Sequence, residues 1–361
     1  MKTTRSKVIT INQRHNKLWR HIFLGGVTCL ALTSTLRAGP CDNWDDLVSP
    51  GFTSKVSITC AGYWKVITSN GIPDHDIGIF PITGCGRPTA IKEQDYTFVM
   101  PAYSSEGILW DSSTVFPLPT PPFIGKPEVA FGVAVNGVPF DPAAAEWWDP
   151  ATGARVSYPT SWTINPLRYD GMKYDLDTNN GHVQPDGAYH YHGYPYGLYN
   201  KIKDEQAAAV LPDGKPDNVT RGRSEIVLLG WAFDGNPIYG EKCGVSGAVV
   251  QAKSSWKVRT AASIPPARTA ASVPSTSSYP LADFLEDYTY DEALFDGDKT
   301  HQLDECNGHR GATPEFPNKI YHYHILEKTN SAADIGFPYI GRCYRLFTYR
   351  TGPNIFPKET P

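Results

Sequence analysis

Apolar and polar positions alternate over short distances along this chain, and turn residues close the apolar stretches. Residues 128–136 and 225–233 are apolar runs that end in Asn-Gly and Asp-Gly, the pattern of strands entering tight turns. Residues 189–192 and 319–326 read as strands too, as do 55–68 and 339–348. Helical pattern is thin and confined to 201–210 and 281–288. The chain is therefore predicted to be mainly β, an antiparallel sandwich or distorted barrel. Residues 41–124 are expected to add strands to the same domain. Composition agrees: 32 Gly and 31 Pro in 361 residues supply many turns, and 20 Tyr and 9 Trp favour strands over a helical bundle.

Four elements occur twice in the same order, which predicts an internal duplication with copies at about 125–200 and 224–347. Gly132-Val133-Ala134-Val135-Asn136-Gly137-Val138-Pro139-Phe140 is echoed by Gly230-Trp231-Ala232-Phe233-Asp234-Gly235-Asn236-Pro237-Ile238. Leu176-Asp177-Thr178-Asn179-Asn180-Gly181-His182 matches Leu303-Asp304-Glu305-Cys306-Asn307-Gly308-His309. Tyr189-His190-Tyr191-His192 then matches Tyr321-His322-Tyr323-His324, and Tyr194-Pro195-Tyr196 matches Phe337-Pro338-Tyr339. The second copy is longer, and a segment at about 255–280, rich in Ala, Ser, Thr and Pro, is expected to be a mobile surface insertion.

The N-terminus changes the charge picture. Residues 1–21 carry six Lys or Arg and no acid, 22–36 are mostly apolar or small, and Ala38 follows. That is the layout of a secretory signal peptide over 1–38, so a secreted or periplasmic chain is expected, with no stable membrane span after cleavage. Its removal leaves 26 basic against 37 acidic side chains, a net charge of −11 that argues against nucleic acid as a partner. The six cysteines beyond residue 38 then suggest up to three disulfides, and no CxxC suggests a thiolate metal site. Cys306 and Cys343 each stand beside an element shared by both copies and have no counterpart in the first, so they are predicted to pair.

Six of the ten histidines fall in the repeated elements. Side chains on a strand alternate between faces, so His190 and His192 project together, as do His322 and His324, while the four tyrosines turn to the core. His182 and His309 follow Asn-Gly turns that can return a third imidazole. Such a set suits a divalent transition metal, zinc or copper above all. A pseudo-two-fold arrangement is expected to bring His190, His192, His322 and His324 to one shared ion. The rival is two separate sites, each completed by its own Asn-Gly-His. His75, between Asp74 and Asp76, is a further candidate ligand. Asp177, Asp304, Asn180 and Asn307 are expected beside the ligands rather than among them; the aspartates could orient imidazoles or cap turns. Imidazoles of ordinary basicity, pKa ~6.5, predict binding that weakens below about pH 6.

The paired Tyr-His-Tyr-His tetrapeptides, each preceded by Asn-Gly-His, resemble the YHYH domain family, as do residues 70–75, 229–235 and 303–309; the likeness spans about 65–345. The resemblance implies an exported protein and no particular activity. The residues point to an exported metal-binding protein. Its alternatives are a metal-dependent hydrolase or oxidoreductase using the same site, and a carbohydrate-binding module suggested by Trp147, Trp148, Trp162 and the many tyrosines. A small molecule or glycan as substrate stays open.

Overall fold

The structure, a computed structural model, describes residues 46–61, 64–82, 89–102, 116–117, 130–142, 144, 146–157, 160–168, 176–208, 225–264, 267–268, 273–295, 301–329, 336–345 and 354–355. The proposed signal peptide lies outside these residues. Strands come first as β1 (Leu47–Val48), β2 (Val56–Ala61), β3 (Trp64–Ser69), β4 (Ile77–Gly78), β5 (Tyr96–Pro101) and β6 (Phe116–Pro117). The first repeated unit holds β7 (Gly132–Ala134), β8 (Pro139–Phe140), β9 (Trp147–Asp149), β10 (Ala154–Val156), β11 (Gly181–Val183) and β12 (Tyr189–Tyr191), followed by helix α1 (Tyr196–Ala208). The second holds β13 (Leu228–Ala232), β14 (Pro237–Tyr239), β15 (Lys242–Val245), β16 (Ala248–Gln251), β17 (Trp256–Val258), β18 (Tyr288–Tyr290), β19 (Gly308–Gly311), β20 (Ile320–His324) and β21 (Cys343–Tyr344); β22 (Asn354–Ile355) comes last. The molecule is mainly β, as the patterning predicts, and none of the described sheets closes into a barrel.

One eight-stranded sheet organises the molecule, in the order β11-β12-β8-β7-β13-β14-β20-β19. Its pairings read the same from either edge. Antiparallel β11/β12 is followed by parallel β12/β8 and antiparallel β8/β7, and β19/β20, β20/β14 and β14/β13 repeat that series. The two series meet where β7 pairs antiparallel with β13, Gly132 opposite Ala232 and Ala134 opposite Gly230. The G-x-A pattern has a steric reason here. A Cβ on Gly132 would overlap the Trp231 carbonyl, and one on Gly230 the Val133 carbonyl.

A second sheet, β2-β3-β5-β22, covers the centre of the first. Strand β5 alternates buried and half-buried positions. Its inner residues Phe98 and Met100, with Ile67 of β3, pack on Val133 and Phe233, giving the layered, sandwich-like arrangement. Lys65 lies under this contact, its ammonium 4.0 Å from the Trp231 ring. On the other side, Phe131, Phe140, Ile238 and the tyrosines of β12 and β20 form the largest buried cluster.

Two expectations fail. The described residues of the segment at about 255–280 do not form a loose insertion. Ile264 and Val273 are buried with Trp148, Trp162 and Phe284, and Arg268 is wholly enclosed, paired with Asp287 at 2.6 Å. Arg268 also donates to the carbonyls of Pro274, Tyr279 and Pro280, so an ion pair in the core ties the segment down. Trp147, Trp148 and Trp162 are 2%, 6% and 1% exposed, so they are core residues and offer no platform for a sugar ring. Cys306 and Cys343 are bonded, as predicted, with Cα atoms 5.0 Å apart. Three disulfides are excluded, because Cys60 and Cys243 are free thiols.

Candidate metal centres

The repeated motifs interlock as one local device, and it begins with the aspartate. Asp177 Oδ1 accepts from the amides of Asn179 (2.8 Å) and Gly181 (3.1 Å), folding Leu-Asp-x-x-Asn-Gly-His into a tight loop. Asn180 closes the loop in the left-handed region at φ 54°, which asparagine tolerates well. Gly181 follows because a Cβ there would overlap the Tyr189 hydroxyl. That hydroxyl donates to Asp177 Oδ2 at 2.7 Å, joining the loop to the first tyrosine of the tetrapeptide. The second unit repeats each step: Asp304 Oδ1 takes the Cys306 and Gly308 amides at 2.9 and 3.0 Å, Asn307 sits at φ 65°, and Tyr321 donates to Asp304 Oδ2 at 2.8 Å.

The second tyrosine of each tetrapeptide ties in the first repeated element. Asn136 Nδ2 donates to the Tyr191 hydroxyl at 3.0 Å, and Tyr323 donates to Asp234 Oδ2 at 2.6 Å. The tyrosines are thus the bolts of the unit and not merely core filling. With both turned inward, the histidines are forced to the opposite face. His182 stands directly across from His190 in the β11/β12 ladder, and His309 across from His322 in β19/β20. The His192 amide extends the first ladder onto the Asn180 carbonyl, at 2.7 Å.

Each unit therefore gathers its own three imidazoles. In the first, the Nε2 atoms of His182, His190 and His192 form a near-equilateral triangle with sides of 3.0, 2.9 and 3.1 Å. In the second, His309 and His324 bring their Nε2 atoms to 3.1 Å, and His322 joins them, one ring nitrogen of each lying within 4.8 Å of the others. The two triads are not one site. Strands β12 and β20 are five strand spacings apart in the sheet, ~24 Å at ~4.8 Å per step, so His190, His192, His322 and His324 cannot share an ion.

Burial and fixed tautomers keep these nitrogens available. Burial pushes the pKa of His190 and of His324 down to about 4, and drives His192, His309 and His322 well below the ordinary imidazole range, so all five are neutral at neutral pH. This revises the expected loss of binding below about pH 6, since the ligand nitrogens resist protonation to a lower pH. His192 Nδ1 meets the Asp141 carbonyl at 2.9 Å and His324 Nδ1 the Gly240 carbonyl at 2.6 Å. A carbonyl only accepts, so each Nδ1 carries the proton and each Nε2 presents a lone pair. Among the described residues, buried Nδ1 of His309 and Nε2 of His322 have no hydrogen-bond partner.

Other candidates lie elsewhere. His75 is on the tyrosine side, its Nε2 2.6 Å from the Tyr191 hydroxyl and its Nδ1 2.7 Å from the Asp76 carbonyl, and it does not join the triad. Asp177 and Asp304 organise loops and anchor tyrosines rather than orient imidazoles. Asn180 and Asn307 hold the left-handed corners, with Asn180 Nδ2 also donating to the Tyr194 carbonyl at 2.9 Å. Residues that sequence reasoning missed are Asn136, Asp234 and Tyr239. The shared [ND]-G position was a visible signal for the first two.

The YHYH protein family matches residues 123–345. The chain belongs to the YHYH family. The match begins after residues 70–75, so the resemblance of that segment lies outside it, and it encloses both YHYH units. Neither the curated proteins nor the solved structures yielded a match.

Proposed function

We propose that this YHYH protein holds two transition-metal ions, one on each histidine triad. The observation that carries the reading is the triangle of Nε2 atoms in the first triad. Each nitrogen of a neutral imidazole is either an N–H or a lone pair. Three nitrogens in two states must include two of the same kind, so at least one of the 3.0, 2.9 and 3.1 Å sides is not a hydrogen bond. A cation facing all three removes the conflict, because all three lone pairs can then point at it. The size is suitable: points ~3 Å apart lie ~1.7 Å from their centre, so an ion standing ~1.1 Å off their plane meets all three at the ~2.0–2.1 Å of a metal–nitrogen bond. Three imidazoles without carboxylate or thiolate suit zinc or copper.

The same reading has the protein exported and residues 1–38 removed. The Cys306–Cys343 disulfide supports it, because such bonds persist in oxidising compartments. The origin of the two units in one duplication is supported by the sheet order, which reads alike from both edges. Bound metal could serve capture of the ion or, where a coordination position stays open, polarise a substrate oxygen or activate water.

Elemental analysis of the purified chain tests the proposal, with two ions per molecule as the expected result. The His190→Ala, His192→Ala double variant should keep one. A double variant that loses both ions would overturn the independence of the two centres, and a wild-type chain that binds none would end the metal reading.

A further inference from the structure

Building on the two-ion reading, we propose that the centres are unequal: the first exchanges its ion and takes a small anion as an outside ligand, while the second is sealed. The shared motifs make the comparison position by position. His182 is half-buried, whereas His309, His322 and His324 are 1%, 1% and 0% exposed. Two residues beyond His182 stands Gln184, half-buried, its amide nitrogen 3.5 Å from His190 Nε2. The matching residue beyond His309 is Gly311. A Cβ there would lie 3.1 Å from His322 Cε1 and 3.5 Å from His309 Cε1, so the backbone itself closes against both imidazoles.

A second difference follows the shared G-x-A element. Its next residue is Asp141 in the first unit and Tyr239 in the second. Tyr239 is wholly buried and lays its ring against His322, with centroids 5.2 Å apart. Its hydroxyl lies 2.7 Å from Thr313 Oγ1 and donates to Glu315 at 2.9 Å, which fastens the segment after β19 over the triad. Strand β15 adds cover: a Cβ on its Gly244 would lie 3.2 Å from the Ala312 carbonyl. In the first unit, by contrast, the Gln184 amide stands ready to donate to a ligand bound beside His190. Three protein ligands and an accessible fourth position describe an exchanging centre, and an enclosed set describes a retaining one.

Cobalt(II) is the probe, with EDTA as competitor and azide as the outside ligand. Wild-type chain loaded with two Co(II) should release them in two phases whose rates differ about tenfold or more, as access to the two shells differs. Azide should alter the visible spectrum of one ion only. His182→Ala should remove the fast phase and the azide response, and His309→Ala the slow phase. Gln184→Gly, which imitates the second unit, should keep two ions but weaken azide binding. Two ions that leave in a single phase, or azide acting on both or neither, would overturn the inequality and leave the two-ion reading standing. A wild-type chain that takes up no cobalt, zinc or copper would overturn both.

Discussion

Replacing Asp304 by alanine should cost the folded chain on the order of 3–5 kcal/mol and empty the second triad while leaving the first filled. Asp304 is 2% exposed and accepts from four groups: the Cys306 and Gly308 amides, the Tyr321 hydroxyl and Arg345 Nε at 3.0 Å. Its loss takes the acceptor from two buried amides, each a penalty of ~1–3 kcal/mol, and breaks the bond from the Tyr321 hydroxyl, though the contacts are coupled and do not add. Arg345 keeps Glu305 at 3.2 Å, which limits the damage. The loop that seats His309 would open, so the consequence reaches the ligands. Asp304→Asn retains an oxygen for the two amides and should cost roughly half as much. Urea unfolding with metal analysis of both variants decides the matter; an alanine variant within about 1 kcal/mol of wild type would show that something else holds the loop.

The metal-free chain should lose several kcal/mol of stability between pH 6.5 and about 4. The sign follows from proton uptake. His190 and His324 titrate at about 4 when folded and near 6.5 when unfolded, so in that window the unfolded chain binds more protons. Stability is then full above the unfolded value and falls as the pH drops toward the folded one. A shift of this size is worth ~3 kcal/mol for each of the two. His192, His309 and His322 are pushed the same way by burial. Burial raises the carboxyls of Asp287 and Asp304, which act in the opposite sense at the acid end, so the steepest loss is expected near pH 5–6. Denaturant midpoints across this range test it. A flat profile would mean that the imidazoles are solvated or already charged in the folded chain.

The sequence made much of the site legible because its chemistry is local. Alternation along a strand put His190 with His192 and His322 with His324, and the Asn-Gly turn returned His182 and His309. Cys306–Cys343 was readable for the same reason, each cysteine standing beside a shared element. What failed was long-range. Nothing in the motifs says that β7 pairs with β13, and this one pairing sends the two tetrapeptides to opposite ends of the sheet. His75 was misassigned because flanking acids suggested a ligand, whereas its partner is Tyr191, on the face turned away from the imidazoles. The segment at about 255–280 reads as a loose insertion because it is rich in Ala, Ser, Thr and Pro; among its described residues one buried arginine, Arg268, outweighs that composition.

The most direct test is X-ray absorption at the metal edge of protein purified from its native compartment. The account predicts two ions per chain, each with three imidazole nitrogens at ~2.0–2.1 Å and the outer-shell scattering that imidazole rings give. A first shell of carboxylate or water oxygen without imidazole scattering, or a chain that carries no metal, would contradict it.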